Sequence, residues 1–299
     1  MCFNLLSEEN LEAVSNPYFG QFVRKFTESV NDLTDFLGMS RVNLTCERSE
    51  LVWLYLRNYF HKDRHYHNYQ HIYGMLNWFR QQEELHRKKN TRNCIPEYSD
   101  LNMKVLPVAI FWHDVIMMSH NIKNNIYTSP SVSNGSGQDF TSPEYLSGKE
   151  FKEVFDGYLP PEIIFRVRHF IECTRMDIYE PENRNCNKYS IQKLFGECSI
   201  LRALDLYYQF VGLHYMDISK PISVCNLNTR IQSEHLDLSP IMFYEFRISF
   251  LEWLAEHDEL FSNKFVFPAS VKHFALETVN ESIVWCKDEL SRLKSASKK

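Results

Sequence analysis

The sequence predicts an all-α fold, a single helical bundle over residues 1–299 with one long polar insertion at about 119–143 and a frayed tail at about 294–299. Three observations predict it. Apolar residues recur at helical spacing along most of the chain, and no stretch sustains the alternation of a strand. Glycine and proline number only 9 and 11, too few for the many tight turns of an all-β chain. Apolar residues make up 44%, and 22 Phe, 16 Tyr and 5 Trp among them supply an aromatic core. No internal repeat is present.

Each element has its own signal. Ser7 stands as N-cap for a helix with Glu8 and Glu9 in its first turn and Leu11 and Val14 at helical spacing. Phe19, Phe22, Val23, Phe26 and Val30 continue the period to about Leu37, where Gly38 ends it. A second helix spans about 47–60, with Leu51, Leu54, Tyr55 and Tyr59 on one face. A third begins near His67 or Asn68 and runs to about Leu85. Leu101 to Met118 is apolar on nearly every side, as a helix at the centre of a bundle would be.

Between Ser119 and Pro143 Asn and Ser dominate, and Ser133 to Gly137 offers nothing apolar to bury, which predicts a surface loop. Helical pattern resumes at 145–155 and again at 161–174, where Pro160-Pro161 suits a first turn. A second polar loop at 179–188 precedes helices at about 191–215, 240–260 and 268–293.

Bulk chemistry excludes several functions. The net charge of −5 gives no field that attracts nucleic acid or an acidic membrane. The short basic run His86 to Lys89, with Arg92, reads as a solvated helix end. The N-terminal segment has neither the basic region nor the apolar stretch of a secretory leader, and no window approaches the ~18 apolar residues of a membrane span. Eight cysteines without a CxxC pair argue against a disulfide framework or a zinc ribbon. These readings predict a soluble cytoplasmic protein. The sequence also lacks GxxxxGK[ST], GxGxxG, HExxH and GxSxG, the marks of other common enzyme classes.

The chemistry concentrates in two places. His65-Tyr66-His67-Asn68-Tyr69-Gln70-His71 holds three imidazoles in seven residues, with His67 and His71 at helical spacing. Ala109-Ile110-Phe111-Trp112-His113-Asp114 is an apolar run that ends in an adjacent imidazole and carboxylate. Such groups, delivered from two buried helices, suit a divalent metal ion. The competing reading makes them core histidines whose ring nitrogens bond to neighbours.

Together with Arg64, these segments and Ala203-Leu204-Asp205-Leu206 resemble the successive motifs of the HD-domain superfamily, and in particular its predicted metal-dependent phosphohydrolases. Further similarity lies in Ile231-Gln232-Ser233-Glu234-His235, in Arg247 with Leu251, and around Asn280, so that the resemblance covers about residues 18 to 292. It implies an HD-like helical domain that binds one divalent ion (Mn, Fe, Co, Ni, Zn or Mg) through His71, His113, Asp114 and Asp205. It implies catalytic roles for Asp114, His67 and Glu144 and substrate contacts from Arg64, His65 and Arg175. His67 would neighbour the ion or contact phosphate, or else serve as a capping or core histidine; Arg64 would pair with a substrate phosphate or with a surface carboxylate.

The implied activity is hydrolysis of a small phosphomonoester, such as a nucleotide, by metal-activated water. The implied partner is that phosphorylated substrate, without nucleic acid or membrane. The chain also departs from the family pattern. Ser142-Pro143 replaces Asp-Asn before Glu144 and Ser147, Asp177 replaces a histidine, and Ala203 replaces the first Asp of its motif. A noncatalytic protein that keeps the metal for stability or partner binding is therefore the alternative, and a helical scaffold without metal is a third.

Overall fold

The periodic apolar residues read from the sequence do form helices. The computed structural model describes residues 15–41, 46–88, 99–116, 142–174, 199–212, 223–235 and 238–297. Helices occupy 79% of them and no strand is present among them, so the fold is all-α. In chain order they are α1 (Phe19–Phe36), α2 (Cys46–Leu56), a 3-10 turn (Arg57–Phe60), α3 (Tyr69–Lys88), α4 (Asp100–Trp112), α5 (Pro143–Phe155), α6 (Pro161–Glu172) and α7 (Ser199–Tyr207). A π-helical turn (Tyr208–Gly212), α8 (Val224–Glu234), α9 (Pro240–Glu256), a 3-10 turn (Asp258–Phe261) and α10 (Ala269–Ala296) follow. The Ser7-capped start, the insertion at 119–141 and the loop at 179–188 lie outside the described residues.

The described chain divides into two compact units. Residues up to 62, 67–72 and 86–202 form the first; residues 63–66, 73–85 and 203 onward form the second.

In the first unit α1 buries Phe19, Phe22, Phe26, Val30 and Leu33 and packs on α4, where Phe22 and Phe26 meet Phe111. Gly38 at φ 67° ends the α1 segment, with Gly38 N–H donating to the Asp35 carbonyl and Met39 N–H to that of Thr34. Buried all round from Val108 to Trp112, α4 packs on α1 and α6 as the sequence predicts for a central helix. Rings of Phe22, Phe26, Phe111, Trp112, Phe151 and Phe155 meet at 4.6–6.1 Å between centroids, within the range of favourable aromatic pairs.

Two expectations for this unit change. α2 buries Val52 and Leu56, followed by Tyr59 in the 3-10 turn, while Leu51 and Leu54 are exposed. Leu51 to Leu56 is apolar at every position, so spacing alone could not select the inward face. The other change is at α4, which stops at Trp112 instead of continuing to Met118.

The second unit packs α10 on α9 and α8. The inward stripe of α10, Ala275, Thr278, Val279, Ser282 and Cys286, consists of small and medium side chains. Lys287 pairs with Glu252 and Lys294 with Glu245, each at 2.7 Å, along the α9–α10 border. α10 continues to Ala296, into the segment read as a frayed tail. α8 was not expected as a helix: apart from Leu227 and Ile231, one turn apart and both buried, it is largely polar. No helix among the described residues is long and apolar enough to cross a membrane.

Candidate metal centre

Asn68 decides where α3 begins. Its Oδ1 accepts from the N–H of Gln70 at 2.9 Å and of His71 at 3.4 Å, which makes it the N-cap. His71 therefore falls in the first turn of α3, and His67 lies just before the helix. The expected one-face relation of His67 and His71 along a helix does not hold, because the cap intervenes. The rings are neighbours nonetheless, edge to face with centroids 5.8 Å apart.

His113 and Asp114 leave the buried end of α4. His113 keeps helical backbone, its N–H donating to the Ala109 carbonyl at 2.9 Å, and the chain then turns. Side chains from elsewhere in the first unit take over the backbone groups that a continuing helix would have used. Tyr59 Oη accepts from Asp114 N–H at 3.1 Å, Asn58 Nδ2 donates to the Val115 carbonyl at 2.8 Å, and Ser147 Oγ accepts from Ile116 N–H at 3.2 Å. A buried turn is stable only if such groups are paired. These partners explain why α4 can end six residues earlier than its apolar pattern suggests.

Three donor atoms converge at this turn. His71 Nε2 lies 3.4 Å from His113 Nε2 and 3.5 Å from Asp114 Oδ2, and His113 Nε2 lies 3.0 Å from that same oxygen. Metal–ligand bonds of ~2.1 Å at tetrahedral to octahedral angles separate donors by about 3.0–3.4 Å. The three residues fit one divalent ion on that measure. His113 Nδ1 sits 2.9 Å from the Ile110 carbonyl, an obligate acceptor, so when the ring loses a proton to receive a cation, Nδ1 keeps its proton and the lone pair is on Nε2. Both imidazoles are buried, and the Asp114 side chain is 15% exposed. Burial pushes the Asp114 carboxyl upward, but the charge and hydrogen bond of His113, the hydrogen bond of His71 and the charge of His67 outweigh it. The carboxyl is held well below its ordinary range, in the ionised form a cation needs.

No family model, curated protein or solved structure matches this chain. The HD-domain resemblance therefore rests on the residues alone.

The remaining candidates are spread over both units. Glu144 is half-buried in the first turn of α5, in the first unit. Asp205 is half-buried on α7 in the second unit. Also in the second unit, Arg64 is buried at 4% exposure, whereas His65 is exposed. Arg175 lies outside the described residues. Asn58 and Tyr59 escaped notice because the sequence shows them only as the end of an amphipathic helix. Ser147 carried a signal, its place in the Glu144–Ser147 segment, but its structural partner did not.

Proposed function

We propose that this protein is a metal-dependent phosphohydrolase of HD-domain type acting on a small phosphomonoester, with His71, His113 and Asp114 holding one divalent ion. The convergence of three donor atoms at 3.0–3.5 Å carries the reading. A bound divalent ion would supply Lewis acidity and lower the pKa of coordinated water toward neutrality. Two neutral imidazoles and one carboxylate leave a net positive charge on such a centre, suited to an anionic phosphoryl group. His67, beside His71, would donate to a phosphate oxygen, and the half-exposed Glu144 is the candidate for handling a water proton. Nothing in the ligand set selects the metal or the alcohol portion of the substrate.

Ser142 favours the second reading, a noncatalytic protein that retains its metal. Its hydroxyl accepts from Tyr145 N–H at 3.1 Å and so caps α5, a structural duty at a place where the family carries an acidic residue.

Elemental analysis of protein purified without chelator, followed by a phosphate-release screen over nucleotides and sugar phosphates, tests both. About one divalent ion per chain is expected, abolished by His113→Ala with Asp114→Ala. A wild-type chain that takes up no Mn, Co, Ni or Zn defeats both readings. Full metal occupancy without turnover of any substrate favours the noncatalytic one.

A further inference from the structure

The His71 and His113–Asp114 segments are far apart in sequence, yet their donor atoms lie within bonding range of one ion. Something must fix that spacing, and three consecutive residues of the 3-10 turn Arg57–Phe60 touch both segments. Asn58 Nδ2 holds the Val115 carbonyl at 2.8 Å, and Tyr59 Oη holds Asp114 N–H at 3.1 Å. Phe60 stacks flat on Tyr69, with centroids 4.7 Å apart and planes 2° from parallel. Tyr69 is the first residue of α3, which carries His71 in that same turn.

The turn itself is anchored in the core. Tyr59 is fully buried; Phe22 packs against Tyr59 at 5.6 Å and against Phe60 at 5.4 Å, and Phe19 meets Phe60 at 5.2 Å. All of these residues belong to the first unit.

From this arrangement we infer that Asn58, Tyr59 and Phe60 are positioning residues of the metal centre: one turn sets the distance between the His71 and Asp114 donors and thereby the affinity of the site. The inference rests on the metal-binding reading. Its physical basis is that a metal centre tolerates donor misplacement poorly, so outer partners of the ligands typically change affinity by about 10- to 100-fold. The hydrogen bonds to Asp114 and Val115 act on one ligand segment, and the Phe60–Tyr69 stack acts on the other.

Cobalt(II) is a suitable probe, because its visible absorption reports both occupancy and coordination geometry. Titration of the wild-type chain gives a reference affinity and spectrum. Tyr59→Phe, which keeps the ring and removes only the hydroxyl, should weaken cobalt binding by about tenfold or more and alter the spectrum. Asn58→Ala and Phe60→Leu should do the same. Val167→Ala, a truncation of a buried side chain on α6 outside the turn and its hydrogen bonds, should lower Tm and leave affinity and spectrum unchanged. That comparison separates positioning from general stability. Wild-type affinity and spectrum in all three turn variants would overturn the inference while the metal reading stands. No cobalt binding by the wild type would overturn both.

Discussion

Asp114 experiences opposing forces, and their balance shapes the whole candidate site. Its burial favours the neutral acid, but two imidazoles within 3.5 Å, with the nearby charge of His67, hold it ionised. Because the folded-state value is lowered, this interaction stabilises the fold above the ordinary carboxyl range and is lost as pH falls through the depressed value. His67 contributes from outside the donor set, since its ring meets His71 edge to face without joining the three converging atoms. His67→Asn is therefore expected to preserve about one metal per chain and to reduce phosphate release through a raised KM or lowered kcat. Metal analysis alongside steady-state kinetics checks this; loss of the metal itself would make His67 a ligand. The sequence pointed to His71, His113 and Asp114 only through the HD-domain resemblance, since clustered imidazoles and an adjacent His-Asp, taken alone, suit hydrogen-bonded core histidines as well as metal ligands. The groups that hold the trio were not legible in the sequence, since a tyrosine or asparagine at a helix end looks the same whether or not it serves a distant backbone.

At the level of elements, the clear periods gave true helices and the ambiguous ones gave errors of face or extent. α1 carried well-spaced phenylalanines and a glycine stop, and both were correct. α2 was apolar on every side, so its inward face depended on neighbours that the local sequence does not encode. α8 was missed because Asn226, Asn228, Thr229 and Gln232 dilute a short apolar period, Val224, Leu227 and Ile231, of which only the last two are buried. The π-helical turn after α7 was also invisible, yet it makes a close approach that can be tested. A Cβ on Gly74 of α3 would lie 2.2 Å from the ring of Tyr208, which is itself buried at 1% exposure. Helix propensity alone favours Gly74→Ala by up to about 1 kcal/mol. Overpacking of this kind costs about 1–3 kcal/mol, so the clash should win and the variant should unfold at lower urea. In a Tyr208→Ala background the same substitution should become neutral or stabilising. Additive effects in that double-mutant cycle would rule out the close approach as the cause.

At the scale of the whole fold, a buried cation held by neutral partners and a thiol buried near it shape the response to alkali. In the second unit Arg247 is buried, its Nε donating to Asn228 Oδ1 at 3.0 Å and its two terminal nitrogens, in the better amide orientation of Gln209, to that side-chain oxygen. Burial draws its pKa down to about 10, which still leaves the guanidinium charged at neutral pH. Fully buried and close by is Cys286, whose thiol burial pushes up to about 11, the charge of Arg247 opposing only in part. For this acid the raised folded value means that the unfolded chain loses its proton first. Stability is then fully present below pH 9 and falls as pH rises from about 9 toward 11. At pH 10 the loss from Cys286 alone should be about 1 kcal/mol. Tyr244, pushed up to about 12 chiefly by burial, acts in the same direction at higher pH, and Arg247 acts against it. A difference measurement isolates the thiol from both. Urea unfolding of wild type and Cys286→Ala under reducing conditions at pH 8 and pH 10 should show the stability gap between them narrowing by about 1 kcal/mol at the higher pH. A gap that is the same at both pH values would mean that the Cys286 thiol ionises as readily in the folded protein as in the unfolded chain.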